Sequence, residues 1–244
     1  MHNLIDFRQY FIDKYYKQEW IEPARFHYKN AEPFPHIVID NFLPDEILNA
    51  ALDAFSEYNP KEWWQFSNDK ELKLASKNEI FIPQVIRSIL HELNSGFVLD
   101  WLQYLTNTSR LVSDTRLYGG GMHRIENGGK LNVHIDFNVE RRTGLYRQLN
   151  LLLYLNKDWK DEYNGHLELW NADKTECKLK LAPIFNRCVI FNTTGKSWHG
   201  HPVPLNTPEG VARKSLALYY YNTNDEDAFN ASAQAHTTLW EPTN

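Results

Sequence analysis

The chain has 244 residues, with 26 lysines and arginines against 31 aspartates and glutamates, so its formal net charge is −5. That balance argues against nucleic acid or an anionic membrane as the main partner, because both attract basic proteins. Aromatic residues make up 14% of the chain, which excludes a disordered protein, since disordered chains are poor in aromatics. The length is sufficient for a domain with a substantial hydrophobic core.

The number of cysteines and the length of the apolar runs indicate in which cellular compartment the protein is expected. Two cysteines, Cys177 and Cys188, are too few for a disulfide framework, and both are expected to be reduced thiols. The N-terminal stretch lacks the uncharged apolar core of a signal peptide, and the longest apolar run, residues 151–155, is far too short to span a bilayer. These features predict a cytoplasmic protein that does not insert into a membrane.

The first part of the chain reads mainly as helix. Apolar residues recur at helical spacing in the opening stretch, at Leu4, Phe7, Phe11 and Tyr15. Residues 36–40 have the apolar density of a short strand, and Pro44 marks the start of a second helix. A further helical stretch follows Pro83 and is interrupted near residue 94 by Asn-Ser-Gly.

From about residue 111 the pattern changes to short strands separated by turns. Strands are predicted at 111–118, 131–137, 147–155, 165–170, 184–192 and 213–222. Six strands at this spacing predict a sandwich or barrel with helices packed outside it. The predicted fold class is α+β, in one domain over residues 1–244. Within it, residues 1–110 would be mainly helical support, 111–222 the β core and 223–244 a C-terminal tail.

The segment GGKLNVHIDFN contains the first candidate metal ligands. His134 and Asp136 are two residues apart on a predicted strand, so their side chains share a face and can converge on one metal ion. The pair alone is weak evidence, because ten histidines, each with a chance of 31/244 of an acid two residues later, give about one such pair at random. A second pair, His166 and Glu168, is indeed present and is expected to have no ligand role.

A third candidate ligand lies downstream in FNTTGKSWHGHPVP. His199 follows His134 by 199 − 134 = 65 residues, and its segment begins at the end of the predicted strand 184–192. Two histidines and one carboxylate form the facial arrangement that holds Fe(II) in non-haem oxygenases. His201 offers an alternative, but the position of His199 between Ser-Trp and the Pro-Val turn favours His199.

The next predicted strand, RKSLALYYY, carries a candidate anion-binding group. Arg213 and Ser215 share one face of this strand, and Lys214 points the other way. A keto acid with two carboxylates that chelates iron needs a cation for its far carboxylate, and the planar fork of arginine suits that role.

This ordered set of motifs resembles the 2-oxoglutarate- and Fe(II)-dependent oxygenases of the prolyl 4-hydroxylase-like group. The resemblance extends over roughly residues 34–222 and includes PFPHIVIDNFLPDEIL, HIDFN, LNLLLYLN, NGHLELW, SWHGHPVPL and ARKSLALYYY. It implies a double-stranded β-helix, or jelly roll, with packed N-terminal helices. It also implies that His134, Asp136 and His199 are the catalytic iron ligands. Arg213 would then bind the C5 carboxylate of 2-oxoglutarate, with help from Ser215.

The implied reaction is hydroxylation of an unactivated carbon. It would consume 2-oxoglutarate and O₂, release succinate and CO₂, and use Fe(II), with ascorbate as a further cofactor. The implied substrate is a prolyl residue or a free or carrier-bound amino acid. Related halogenases carry a small residue in place of the carboxylate, so Asp136 favours a hydroxylase.

One position departs from the family pattern. The family often has a tyrosine eight to ten residues before the first ligand histidine, where it helps to hold 2-oxoglutarate. Here that window holds Arg124, Ile125 and Glu126, and Tyr118 lies sixteen residues before His134. Another group is therefore expected to hold the cosubstrate.

Two alternatives remain open on the sequence. The first is a cupin-like metalloprotein that uses His199 and His201 as a ligand pair, although Leu205 and Asn206 stand where it needs a glutamate. The second is a metal-free jelly-roll module that binds sugar or peptide through its aromatics. Aromatic residues that could line a pocket, although packing is the commoner role, are Trp198, Tyr219 and Tyr221.

Overall fold

In the described part of the chain, five α-helices pack against one curled antiparallel sheet. The computed structural model describes residues 6–57, 59–223 and 235–240. The α-helices in these ranges are α1 (Phe7–Tyr15), α2 (Gln18–Asn30), α3 (Asp45–Glu57), α4 (Gln84–Leu93) and α5 (Gly96–Thr106). The predicted interruption near residue 94 is the break between α4 and α5, where the Ser95 side chain accepts a hydrogen bond from the Val98 amide and caps α5.

Thirteen strands in the described part of the chain belong to this sheet. They are β1 (His36–Ile39), β2 (Trp63–Ser67), β3 (Glu71–Ser76), β4 (Val112–Ser113), β5 (Gly121–Ile125), β6 (Lys130–Ile135), β7 (Tyr146–Tyr154), β8 (Leu167–Trp170), β9 (Cys177–Leu181), β10 (Cys188–Asn192), β11 (His199–His201), β12 (Arg213–Asn222) and β13 (Leu239–Trp240). The main path through the sheet is β1-β10-β7-β12-β5-β3-β6-β11-β8-β9. The α+β class and the jelly-roll core are confirmed.

The two faces of the central strands have different roles. On β7, Leu149, Leu151 and Leu153 are fully buried in the core that the helices form against the sheet. Burial of each such leucine contributes roughly 2 kcal/mol. Since strand side chains alternate, Asn150 and Tyr154 lie on the opposite, concave face. The helices therefore hold the sheet from one side and leave the other side for a site.

Some predicted elements differ from the structure. The run 111–118 is a strand only at 112–113, because the Asp114 carboxylate accepts hydrogen bonds from the amides of Arg116 and Tyr118 and closes a turn. The hairpin of β2 and β3 was not predicted; β2 pairs with β3, and β3 is held by pairing with the distant β5 and β6.

The first 110 residues contribute strands as well as helices. β1, β2 and β3 lie before residue 110 and join the same sheet as the later strands. The division into helical support, core and tail stays a prediction, and residues 224–234 and 241–244 of the tail lie outside the described residues. Cys177 and Cys188 are free thiols. Within the described ranges, no helix has both the length and the apolar character needed to cross a membrane.

Candidate metal and cosubstrate site

Three side chains that can bind a metal ion meet at one end of β6. His134 lies on β6, Asp136 follows one residue after its end, and His199 begins β11 directly opposite His134 in the antiparallel register. The ligand atoms of the three residues all lie within 4.8 Å of one another. In the described part of the chain, no other group of three or more His, Cys, Asp or Glu has this geometry.

The carboxylate of Asp136 lies between the two imidazoles. Its Oδ2 atom is 3.4 Å from His199 Nε2, and its Oδ1 atom is 3.6 Å from His134 Nε2. The two imidazole rings are 4.5 Å apart between their centroids. Two nitrogens and one oxygen thus converge from one side, which is the donor set of a facial Fe(II) site.

The backbone fixes which ring nitrogen each histidine presents. His134 Nδ1 lies 2.8 Å from the Asn132 carbonyl oxygen, and His199 Nδ1 lies 2.9 Å from the Ser197 carbonyl oxygen. Each Nδ1 therefore carries the proton and donates it, so each Nε2 has a lone pair for a metal ion. Burial lowers the pKa of His199 to about 4, although the charge of Asp136 partly opposes this shift. The imidazole is neutral at pH 7, as a metal ligand must be.

Gly200 permits the close approach of β11 to β6. A Cβ atom at this position would lie 2.8 Å from the carbonyl oxygens of Leu131 and Asn132, closer than such contacts allow. A larger residue would push β11 away from β6 and separate His199 from His134.

Arg147 and Asn150 hold the Asp136 carboxylate from behind. Asn150 Nδ2 donates to Asp136 Oδ2 at 2.8 Å, and Arg147 Nη2 lies 3.1 Å from the same oxygen. Burial alone would raise the pKa of Asp136, but the Arg147 charge, together with the adjacent His199 and His134 imidazoles, outweighs burial and holds it well below its usual range. Asp136 is therefore an anion whose orientation is fixed.

Sequence reasoning missed Arg147. Strict alternation along β7 would place Arg147 on the face opposite Asn150. The pairing of β7 with β12 shifts register between Tyr220 and Tyr221, so that Tyr221 faces Arg147 whereas Tyr220 faces Leu149. Register shifts of this kind re-aim side chains near functional sites, and they have no reliable signal in a single sequence.

A cavity of about 80 Å³ lies beside the three candidate ligands. We call it the inner cavity; its lining includes His134, Asp136, His199, His201, Arg213 and Ser215. Lys214 points away from it and lies over the Phe55 ring on the helix side of the sheet. As the sequence predicted, Arg213 and Ser215 lie on one face of β12 and Lys214 lies on the other.

Arg213 is a buried cation in this cavity. It is 5% exposed, its Nε donates to the Gly165 carbonyl oxygen at 2.8 Å, and its Nη2 donates to the Tyr154 hydroxyl at 3.2 Å. No carboxylate of the described residues pairs with it. A buried cation without a counter-ion is costly, although an arginine stays protonated. Arg213 therefore fits a ligand that brings a carboxylate into the inner cavity.

Tyr154 is a second residue that sequence reasoning missed. It lies in the LNLLLYLN segment, and the alternation of Asn150, Leu152 and Tyr154 along β7 was the signal that could have found it. Of the residues in the window where the family tyrosine was sought, Arg124 pairs with Glu126 and does not line the inner cavity. The Tyr154 hydroxyl accepts a hydrogen bond from Arg213, so Tyr154 is the candidate to take the place of the tyrosine sought before His134.

His201 also lines the inner cavity but is outside the metal-binding cluster. It is 3% exposed, and neither of its ring nitrogens has a hydrogen-bond partner among the described residues. Burial, followed by the nearby Arg213 charge, lowers its pKa well below the usual value, so the ring is neutral. A polar ligand in the inner cavity would satisfy this histidine.

Other sequence candidates have separate environments. His166 contacts Asp161, and Glu168 pairs with Lys180, so the second His-x-acid pair does not converge on a common point. Tyr219 lines the inner cavity, and its hydroxyl donates to the Gly119 carbonyl oxygen. Neither Trp198 nor Tyr221 lines the inner cavity; the Trp198 indole donates to the Ala172 carbonyl oxygen.

Comparisons with known proteins agree with this geometry. Residues 120–221 match the family described as the 2OG-Fe(II) oxygenase superfamily. This segment contains all three candidate metal ligands and Arg213. The match favours an oxygenase over both the cupin-like metalloprotein and the metal-free binding module. A search of curated proteins finds no match.

Solved structures share the fold at low sequence identity. A prolyl-4-hydroxylase from Pseudomonas putida aligns with a TM-score of 0.54 and 17% identity, over 82% of this chain and 98% of that one. A prolyl hydroxylase from Trichoplax adhaerens, in complex with a hypoxia inducible factor peptide, aligns with a TM-score of 0.59 and 18% identity. The alignment covers 89% of this chain and 98% of that one. HygX from Streptomyces hygroscopicus, with nickel, 2-oxoglutarate and hygromycin B bound, aligns with a TM-score of 0.53 and 10% identity. The alignment covers 85% of this chain and 92% of that one.

Proposed function

We propose that this chain, which has a prolyl 4-hydroxylase-like fold, is a 2-oxoglutarate- and Fe(II)-dependent oxygenase, that His134, Asp136 and His199 bind its iron, and that it hydroxylates an unactivated carbon. When bound, Fe(II) supplies the oxidation chemistry, in which one oxygen atom of O₂ enters the substrate and the other enters succinate as 2-oxoglutarate loses CO₂. The protein residues bind and orient the participants.

The observation that carries the proposal is the pairing of two sites in one cavity. At one wall, two imidazoles with free Nε2 lone pairs meet a fixed carboxylate. At another, Arg213 is buried without a carboxylate partner among the described residues. A molecule that chelates a metal at one end and carries a carboxylate at the other satisfies both, and 2-oxoglutarate is such a molecule.

The second anchor is assigned to Arg213 and Tyr154, with Ser215 beside them. Arg213 offers a planar fork for the C5 carboxylate, and the Tyr154 hydroxyl that it contacts adds a second donor. Ser215 is buried at the inner cavity and pairs across the sheet with both His123 and Tyr154. This assignment supplies the donor that the family pattern lacks before His134.

The substrate is proposed to be amino-acid derived: a prolyl residue, or a free or carrier-bound amino acid. The support is the fold shared with the prolyl hydroxylases of Pseudomonas putida and Trichoplax adhaerens. HygX, which has hygromycin B bound, shows that a relative of this fold also accommodates a small molecule.

The test is addition of Fe(II) and 2-oxoglutarate to the protein without oxygen. The parent should develop the weak visible charge-transfer band of the iron chelate and, with oxygen, release succinate. His134→Ala, Asp136→Ala and His199→Ala should each lose the band and the turnover, because a three-ligand site loses its geometry with any member.

A matched control is His166→Ala, which removes a histidine outside the cluster and should leave both signals as in the parent. Loss of the band in His201→Ala, together with its retention in His199→Ala, would assign the distal ligand to His201 and overturn the proposed set.

A further inference from the structure

A second and larger cavity adjoins the candidate metal ligands. This outer chamber has a volume of about 580 Å³, and His134 and Asp136 form part of its floor. The β2–β3 hairpin and the glycine-containing turn at residues 116–120 form its walls, together with Thr238 and Trp240 near the C-terminus. A substrate that reacts at the metal must occupy this chamber, because it leads directly to the ligands.

Aromatic side chains line the outer chamber. They are Trp64, Phe66, Tyr118, Phe137, Tyr219 and Trp240. Trp64 is 58% exposed and Tyr118 is 52% exposed, so their faces are not used up by packing in the core. Exposed aromatic faces that surround a cavity favour a ligand with a flat ring or an apolar face, which they can stack against.

The chamber is positively charged although the chain is negative. Its lining holds five cations, Lys73, Lys77, Arg116, Arg142 and Arg147, against two carboxylates, Glu71 and Asp136, a balance of 5 − 2 = +3. Counting Glu140, which pairs with Arg142 from outside the lining, leaves +2. The whole chain has 26 − 31 = −5. Bound Fe(II) would add to the positive charge at the floor.

Several of these cations are held by rings. Lys77 lies 5.4 Å from the centroid of the Trp64 ring, Lys73 5.1 Å from that of Phe66, and Arg142 5.0 Å from that of Tyr118. A ring face positions a cation but does not neutralise its charge. Within the ranges that the structure describes, neither Lys77 nor Arg116 has a carboxylate partner. Their charges remain available to an anion.

The strand edge next to the site is occupied by the chain itself. One edge of β6 pairs with β11, and the opposite edge pairs first with β3, at Lys130 and Leu131, and then with β13, at His134 and Ile135. The Trp240 ring of β13 lies 5.1 Å from the His134 ring. An extended peptide commonly binds by adding a strand to a free edge. Here that edge is taken, which favours a small molecule that enters the chamber.

We infer that the substrate is a small organic anion with a flat ring, bound in the outer chamber with its negative group near Lys77 and Arg116. This inference rests on the proposed function, because the chamber matters only if the metal site performs the reaction. It favours a free compound over a polypeptide, with a carboxylate, as in a free amino acid, or a phosphate as the anionic group. Phosphate and carboxylate groups both suit arginine and lysine, so the shared chemistry is the anion.

The experiment measures binding to the protein loaded with Fe(II) and 2-oxoglutarate without oxygen, by calorimetry. Two pairs of probes differ only in the charged group: adenosine 5′-monophosphate against adenosine, and 3-phenylpropionate against 3-phenylpropanamide. The anionic member of at least one pair should bind about ten-fold tighter than the neutral one, which corresponds to about 1.4 kcal/mol. The preferred pair identifies phosphate or carboxylate.

The matched variants remove the same charge at two places. Lys77→Gln with Arg116→Gln should abolish most of the preference. Lys157→Gln with Arg25→Gln also removes two cations, each of which lies over a ring outside the chamber, and it should keep the preference. Raising the salt concentration should weaken the preference in the parent.

The failures of the two proposals are distinguishable. Absence of the visible band in the parent would refute the proposed function itself. A normal band with equal affinity for both members of each pair, including no measurable binding of any, would overturn the inference. An equal loss of the anion preference in both double variants would also overturn it. Tighter binding of an uncharged proline-containing peptide than of the anionic probes would do the same.

Discussion

The Arg147 guanidinium lies 3.1 Å from the Asp136 carboxylate, the one acidic member of the candidate metal site. The same guanidinium lies 3.5 Å from the centroid of the Tyr219 ring, which fixes its plane. Arg147 is 1% exposed, so the interaction is hardly screened by water. A cation held this firmly keeps Asp136 ionised and pointed at the two histidines.

Arg147→Met should move the loss of metal binding to higher pH. Methionine keeps much of the length and apolar contact of the side chain but removes the charge that opposes the effect of burial on Asp136. The pKa of Asp136 then rises, and protons compete with the metal at higher pH than in the parent. Mn(II) affinity, measured between about pH 5 and pH 8, checks this shift.

A control for this prediction is Arg187→Met. Arg187 also forms a two-point ion pair with an aspartate, Asp40, but it does not line either cavity. Its pH profile of Mn(II) binding should match that of the parent. An unchanged profile in Arg147→Met would mean that Asn150 and the histidines alone keep Asp136 ionised.

The candidate ligands were predictable because they depend on local geometry. A spacing of two on a strand places His134 and Asp136 on one face whatever the rest of the chain does. The same alternation separated Arg213 from Lys214, and the structure places them on opposite faces of β12. His199 was found by its motif, since a three-residue strand such as β11 has no periodicity to detect.

What could not be predicted depends on long-range pairing. Arg147 reaches the site through a register shift between β7 and β12, and nothing in the local sequence marks it. The β2–β3 hairpin follows a helical region. It forms a wall of the outer chamber because β3 pairs with β5 and β6. β13 joins β6 from the far end of the chain. Such contacts connect residues that are distant in sequence, so local propensity does not encode them.

His123 should make the metal-free protein less stable as the pH falls. Burial lowers the pKa of His123 to about 3, whereas an unfolded histidine titrates near 6.5. Below pH 6.5 the unfolded chain therefore binds a proton that the folded chain does not, and the folded state loses stability progressively. By about pH 5 the loss from this residue should be about 1–2 kcal/mol.

Urea unfolding with a chelator present, at a series of pH values, measures this effect. His123→Asn lacks the titrating ring, so the free energy of unfolding of the variant should fall less steeply below pH 6.5 than that of the parent. Above this value the two slopes should coincide. Equal slopes throughout would show that His123 takes up its proton in the folded state as readily as in the unfolded one.

His201 should contribute to the binding of 2-oxoglutarate and not to the binding of the metal ion. Its ring nitrogens have no partner among the described residues, and it shares the inner cavity with Arg213. His201→Phe keeps a flat ring but removes both hydrogen-bonding atoms. We expect 2-oxoglutarate to bind about ten-fold more weakly, in line with the loss of one hydrogen bond to a charged group. Mn(II) affinity without 2-oxoglutarate should stay near that of the parent.

Two outcomes would contradict this expectation. Loss of Mn(II) binding in His201→Phe would place His201 among the ligands. Unchanged affinity for both metal and 2-oxoglutarate would mean that water, rather than the cosubstrate, satisfies the ring. His166→Phe is the matched control, since it makes the same replacement at a histidine that contacts Asp161 away from the inner cavity.

Arg213 should determine both the affinity and the length of the cosubstrate. If it binds the C5 carboxylate while the metal holds the other end, the distance between the two anchors is fixed by the sheet. Oxaloacetate, which is one methylene shorter, then reaches only one anchor at a time and should fail to support turnover. Arg213→Ala leaves the incoming carboxylate without its partner in a buried site, a loss of ~2–5 kcal/mol. This corresponds to about thirty-fold to a few thousand-fold weaker binding of 2-oxoglutarate.

Two further variants refine the role of Arg213. Arg213→Lys should be intermediate, because a point charge replaces a planar fork. Tyr154→Phe should weaken 2-oxoglutarate binding less than Arg213→Ala, since it removes a neutral donor and leaves the cation. Mn(II) binding should survive all three changes, because neither residue belongs to the metal-binding cluster.

Titration of 2-oxoglutarate into the Fe(II)-loaded variants without oxygen measures these affinities directly. Lys214→Ala is the control: it removes a neighbouring cation that lies over Phe55 on the opposite face of β12, and it should bind 2-oxoglutarate as the parent does. If Arg213→Ala kept the parent affinity, another cation of the inner cavity would hold the carboxylate. Lys73 and Arg147 also line that cavity, and Arg147 pairs with Asp136, so Lys73→Ala would then show the loss expected of Arg213→Ala.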